Sequence, residues 1–184
     1  GVLVWDQGFK EDQEQSEEAF SFMSSEVSRE KPVNYPDLIN AFRRNHEDGY
    51  IVWVIGPALV HSRGREAMEW LIQAGYVDCV LSGNAVGVHD IEAALFGSTL
   101  GMKADGSGAA GGHSMHMRAI NRVKSHGSIA SMVQAGALNS GIMYNLCVRN
   151  IPYVLAGSIR DDGPLPETIT DALSAQAAMR EHTS

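Results

Sequence analysis

Residues suited to chemistry stand in three loops of this 184-residue chain, each following a short apolar run that ends in glycine. The most unusual string is Gly157-Ser158-Ile-Arg160-Asp161-Asp162-Gly-Pro164. Two adjacent carboxylates beside an arginine are costly to bury without a purpose. Paired acids suit ammonium recognition or proton transfer, and Arg160 suits a carboxylate or phosphate. A solvated turn with a local ion pair would produce the same string. In Gly83-Asn84-Ala85-Val-Gly-Val-His89-Asp90, glycine lets a backbone approach a pyrophosphate, and a following helix offers unpaired N–H groups and a positive dipole end. Asn84 has the groups to bond a ribose or an amide, while Asp90 reads as a helix cap or a substrate contact. The string is neither G-x-G-x-x-G nor a P-loop, so an ordinary strand–helix turn stays open beside nucleotide binding. The third loop, Gly56-Pro57-Ala-Leu-Val-His61, puts His61 beyond a strand end as a further site residue.

Other reactive side chains read more plainly. His113 and His116 form an H-x-x-H pair whose rings share a face if the segment is helical, so zinc is conceivable. No third ligand suggests itself in the neighbouring sequence and no H-E-x-x-H is present; loop packing or a phosphate contact is expected, and no metal. His89 reads as a polar residue of a first helical turn. Cys79 and Cys147 sit in apolar segments and form no close pair, as expected of buried thiols in a reducing compartment. The methionines at 115, 117, 132 and 143 and Trp53 fit core packing.

The elements that must position these loops follow from periodicity. Ile51–Ile55 is continuously apolar, as for a strand covered on both faces, and Val77–Leu81 and Tyr153–Ala156 make a second and third strand. Between them, Arg65–Ala74 is amphipathic and stops at Gly75, a helix starts near Val88 and stops at Gly97, and helical patterns occupy 113–125, 128–135 and 140–149. A last helix is expected over Glu167–Arg180, and the Gly/Ala-rich stretch at 104–112 is a candidate mobile loop. Strands alternating with helices predict an α/β fold with a parallel sheet and helices on both faces. Ligands of such sheets gather beyond the carboxyl ends of the strands. Residues 1–35 read as a linker or extension, and 36–184 as the nucleotide-binding domain.

Composition narrows the partners. The formal net charge is −8 and the basic residues are dispersed, with a modest cluster at Arg118, Arg122 and Lys124, which argues against nucleic acid. No apolar stretch approaches the roughly 20 residues that span a bilayer. A small polar substrate is the expected partner, in the cytoplasm.

Several strings recur together in one known family: Phe22-Met-Ser-Ser25 with Val27-Ser28, Gly56-Pro-Ala-Leu-Val-His61, Gly83-Asn-Ala-Val-Gly-Val-His-Asp-Ile-Glu92, Gly112-His113, Arg118-Ala-Ile-Asn121, Gly127-Ser-Ile129, Gly141-Ile-Met-Tyr144 and Val154 through Pro166. The set closely resembles the conserved domain named for the bifunctional lysine–oxoglutarate reductase/saccharopine dehydrogenase enzymes (LOR/SDH). That domain is also the C-terminal region of archaeal-type ornithine cyclodeaminases and of cyanobacterial arginine-guanidine-removing enzymes. The resemblance implies a Rossmann-like, deoxyhypusine-synthase-like NAD-binding domain, here truncated, since family members continue past the match to Arg160–Pro166 with further strand–helix units. It implies conversion of ornithine to proline and ammonia, with NAD as the cofactor and a basic amino acid as the substrate. On the matching motifs, Asp161 and Asp162 are placed as amine-binding or proton-transfer groups and Arg160 on an anionic group. Gly56, Pro57, His61, Gly83, Asn84, Ala85, Asp90, Gly157 and Ser158 are placed along the dinucleotide. A non-catalytic nucleotide- or amino-acid-binding module is the alternative, NADP stays open beside NAD, and an exposed sheet edge favours a homo-oligomer.

Overall fold

Alternation inside the short apolar runs decides how the sheet is covered. The computed structural model describes residues 34–62, 64–99, 102–103, 112–158, 161 and 163–183. The chain divides into two compact units, Gly1–Ile39 and Asn40–Ser184. Of the first unit only 34–39 are described, within the opening of helix α1 (Tyr35–Asp48). The rest of the expected N-terminal extension, the Gly/Ala stretch at 104–111, Arg160 and Asp162 lie outside the described residues.

After α1 come β1 (Val52–Ile55), α2 (Ala58–His61), α3 (Gly64–Gln73), β2 (Cys79–Gly83) and α4 (Asn84–Phe96). A two-stranded antiparallel pair follows, β3 (Ser98–Thr99) with β4 (Met102–Lys103). Helices α5 (Gly112–His126), α6 (Ile129–Gln134) and α7 (Ile142–Val148) lead to β5 (Tyr153–Ala156), β6 (Thr168–Ile169) and α8 (Ala172–Glu181). Strands β1, β2, β5 and β6 form one sheet in that order, and all three pairings are parallel. The expected α/β architecture is present.

Successive strand residues face opposite sides. Trp53, Ile55, Val80, Tyr153 and Leu155 join the larger core, with Met68 and Ile72 of α3, Ile91 of α4, Ile120 of α5, Met132 of α6 and Leu146 of α7. Val52, Cys79, Leu81, Val154 and Ile169 turn the other way and meet Ala178 and Met179 of α8. Helices therefore cover both faces, one far more heavily than the other. Each fully buried Leu, Ile or Met contributes about 1.5–3 kcal/mol, so the side under α3–α7 carries most of the stability.

Three expectations are corrected. β1 is not covered on both faces, because Val54 is 79% exposed at the end of the described sheet, beyond the reach of α8. Helix α4 starts at Asn84 rather than near Val88, directly after β2. Gly87, which suggests a loop, instead lies inside this helix where Leu155 and Leu165 press closest; a Cβ there would stand 2.9 Å from Leu165 Cδ1. The last helix begins at Ala172, where the Asp171 carboxylate accepts from Ser174 N. Thr168 and Ile169, expected within it, pair with Leu155 and Ala156 instead.

Candidate functional site

Parallel pairing sets Ile55 opposite Ser82 and Gly83 opposite Ala156, so the carboxyl ends of β1, β2 and β5 share one edge of the sheet. Gly56-Pro57, Gly83-Asn84 and Gly157-Ser158 leave that edge together, as the sequence pattern requires. Gly56, Pro57 and Ser158 are exposed, while Ala85 and Gly157 are half-buried. Gly83 is the extended N-cap of α4 and supplies no side-chain cap. Helices α6 and α8 differ, their first turns being capped by the side chains of Ser128 and Asp171. The uncapped start of α4 thus presents its dipole end and first amides at the centre of the sheet edge, an arrangement that suits an anion.

Two residues expected at the ligand also hold the loop after β5. Asn84 is buried, and its Oδ1 accepts from Leu165 N at 2.9 Å and from Thr168 Oγ1 at 2.8 Å. Both acceptor positions of the amide are used, so any ligand contact falls to its Nδ2. Asp161 Oδ2 accepts from Ser158 N at 2.8 Å, and Gly157 N donates to Ile169 O at 2.9 Å. One carboxylate oxygen of Asp161 therefore braces the turn beside Gly157. Of the expected trio of Arg160, Asp161 and Asp162, only Asp161 is described.

Asp90 is tied into the interior. It is expected along the dinucleotide but lies two turns into α4 with 0% exposure. Its Oδ1 accepts from Arg65 Nε at 2.7 Å and Ile142 N at 2.9 Å, and its Oδ2 from Met143 N at 2.8 Å. It is a cap, but of α7 rather than of its own helix. Burial pushes this carboxyl up, against the pull of the Arg65 guanidinium and the two amides. Gly141 makes the approach possible: its φ is +107°, and a Cβ would stand 2.8 Å from Asp90 Oδ2. Arg65 also pairs with Glu69 at 3.2 Å, and Glu69 Oε2 accepts from Gly141 N and Asn145 Nδ2, both at 3.2 Å. A polar network across α3, α4 and α7 thus fixes the central helix.

A second polar cluster lies between α2, α4 and α5. His61, exposed at the end of α2, has Nδ1 3.1 Å from Thr99 Oγ1 and meets the His89 ring edge-on at 4.8 Å between centroids. The His89 and His116 rings are 5.2 Å apart. Both reach Glu92, with Nδ1 to Oε2 distances of 3.4 Å from His89 and 3.7 Å from His116. Burial first, then the neighbouring His61 and His116 rings, pull His89 down to about 4, so its ring is neutral near pH 7. His116 faces inward because it precedes the buried Ala119, Ile120 and Val123 on one stripe of α5. The H-x-x-H pattern therefore delivers His116 to partners on another helix. The His113 side chain lies outside the described residues. Glu92 and Arg65 were missed from the sequence. The available signal was three ionisable residues, His89, Asp90 and Glu92, within a run otherwise as apolar as Val86, Val88 and Ile91.

Comparisons with known proteins bear on the family and the fold. Residues 37–184 match the family model described as arginine dihydrolase ArgZ-like, C-terminal, Rossmann fold. The chain is 49% identical over 168 residues to an ornithine cyclodeaminase of Methanopyrus kandleri, covering 89% of this chain and 40% of that protein. It is 45% identical over 175 residues to the bifunctional arginine dihydrolase/ornithine cyclodeaminase AgrE of Nostoc, covering 92% of this chain and 25% of the relative. This chain thus spans well under half the length of these relatives. Among solved structures, a conserved LOR/SDH protein of Methanococcus maripaludis superposes with a TM-score of 0.80 at 42% identity, covering 86% of this chain and 51% of the other. The ternary complex of AgrE with ornithine and NAD+ superposes with a TM-score of 0.76 at 43% identity, covering 80% and 22%. Parallel sheet, glycine-ended strands and this degree of similarity lead to one conclusion: the chain belongs to the family of arginine dihydrolase ArgZ-like C-terminal, Rossmann-fold domains.

Proposed function

We propose that this chain is the NAD-binding domain of an ornithine cyclodeaminase, a lyase of arginine and proline metabolism acting in the cytoplasm. The observation that carries the reading is the start of α4. An extended glycine N-cap without a side-chain cap sits at the end of the central strand, between the loops after β1 and β5. Those features suit a dinucleotide pyrophosphate, and a structural relative at 43% identity is a complex with ornithine and NAD+. When bound at this edge, held by the backbone of Gly83 and Ala85, NAD would supply a hydride acceptor and donor within one cycle, so that ornithine would give proline and ammonia without net redox change.

The chain's own residues bind and orient. Gly83 and Ala85 offer backbone to the pyrophosphate, Gly56 and Pro57 border it on the β1 side, and Gly157 and Ser158 border it on the β5 side. Asn84 fixes the loop between β5 and β6, and Asp161 and Asp162, in the sequence of that loop, are the acids assigned to the substrate amines. Arg160 supplies the cation for a carboxylate or phosphate. Self-association that covers the exposed edge at Val54 completes the reading. No helix among the described residues is long and apolar enough to cross a membrane.

The test uses the full-length protein with NAD and ornithine deuterated at Cα, followed by mass spectrometry of proline and an ammonia assay. Proline that keeps the deuterium, with no build-up of reduced cofactor, is the expected result. The paired substitutions Asp161→Asn and Asp162→Asn should abolish proline formation while NAD binding persists. Proline lacking the label, or none at all from the wild type, would reject the reaction.

A further inference from the structure

The cluster of His89, Glu92 and His116 has no role in the dinucleotide reading, and its geometry is specific. Two imidazoles and one carboxylate come from two packed helices, with a ligand atom of each residue within 4.8 Å of the others. Glu92 is 0% exposed and His89 6% exposed. Nitrogen-to-oxygen separations of 3.4 and 3.7 Å are long for charge-assisted hydrogen bonds, which run at about 2.7–2.9 Å. The two separations to Glu92 lie near the edge of a tetrahedron, and the three ligand atoms together span no more than 4.8 Å. Ligands about 2.1 Å from a zinc-like ion stand roughly 3.4 Å from one another. The i,i+3 spacing of His89 and Glu92 on α4 fixes two corners on one helix face, and His116 of α5 supplies the third.

We infer that His89, Glu92 and His116 form a three-ligand site for a divalent first-row transition-metal ion of the zinc class, with a fourth position left for water or a ligand. A two-His, one-carboxylate set with an open position is a ligand combination such ions take in proteins. The exposed ring of His61 meets His89 edge-on and so borders the cluster. The inference is independent of the cyclodeaminase reading, since no step of that reaction is assigned to these three residues.

The test is metal titration of the chelator-stripped 184-residue chain with cobalt(II), read by visible d–d absorption, and competition by zinc(II). One ion per chain is expected, displaced stoichiometrically by zinc. Glu92→Gln and His116→Ala should each weaken binding at least tenfold, whereas His126→Ala, on the exposed end of α5, should leave it unchanged. X-ray absorption on the metal-loaded wild type covers the case in which a buried substitution fails to fold: two imidazole shells are expected. Failure to bind cobalt or zinc below about 100 μM, or a bound ion whose shell lacks imidazole, would overturn the site.

Discussion

At the scale of single residues, burial separates the acids into two kinds of work. Asp161 braces an accessible turn, whereas Asp90 is sealed between three helices with both oxygens occupied. Removing Asp90 would leave the Arg65 guanidinium partly buried without that partner and two amides of α7 uncapped. Asp90→Ala should therefore cost about 3–5 kcal/mol, read as a lower urea midpoint at unchanged m-value. A loss below 1 kcal/mol would show that the network across α3, α4 and α7 is not a stabilising unit. The sequence displayed Asp161 and Asp162 as unusual because both stand in one short string. It could not display the task of Asp90, whose partners lie 25 and 52 residues away and meet it only once α3 and α7 pack on α4. Glu92 was hidden in part for the same reason, since one of its two imidazole neighbours, His116, comes from a different helix.

At the scale of elements, the strands were readable from apolar runs and the helix ends from glycines, but two kinds of glycine look alike in a sequence. Gly75 and Gly97 follow helices, as periodicity suggested. Gly87 sits within a helix because Leu155 and Leu165 come close, and only the folded packing shows that. This is why the string 83–90, expected as a ligand loop, contributes its start to the sheet edge and its end to the core. Gly141 is the sharpest case: a side chain there would be strained at φ +107° and would collide with Arg65 and Asp90. Gly141→Ala should cost at least about 2 kcal/mol in thermal or chemical unfolding. Stability equal to wild type would mean that α7 can be capped in another way. β6 escaped detection because two residues are too short to show alternation, and its pairing with β5 depends on the loop that Asn84 ties down.

At the scale of the whole molecule, a parallel sheet gathers three strand ends on one edge, with a thick helical layer on one face and α8 on the other. The uneven covering explains why Val54 is exposed although its run reads as a central strand. Among the described residues of the sheet edge, the N-terminus of α4 behind Gly83, which supplies no side-chain cap, is the feature on which the nucleotide-binding proposal rests. Gly83 is also where the idea can be tested: a Cβ at that position meets Ala156 O at 3.6 Å, an ordinary contact, and the unfolding curve reports what the larger side chain does to the fold. The most direct measurement is calorimetric titration of NAD into the wild type and Gly83→Val, with unfolding curves of both. Saturable one-site binding by the wild type, weakened at least tenfold in a variant of near-native stability, is the result expected if the backbone meets the pyrophosphate there. NAD binding of equal strength in the two proteins would contradict the placement of the cofactor at the start of α4, and absence of binding to the wild type would contradict the nucleotide-binding reading itself.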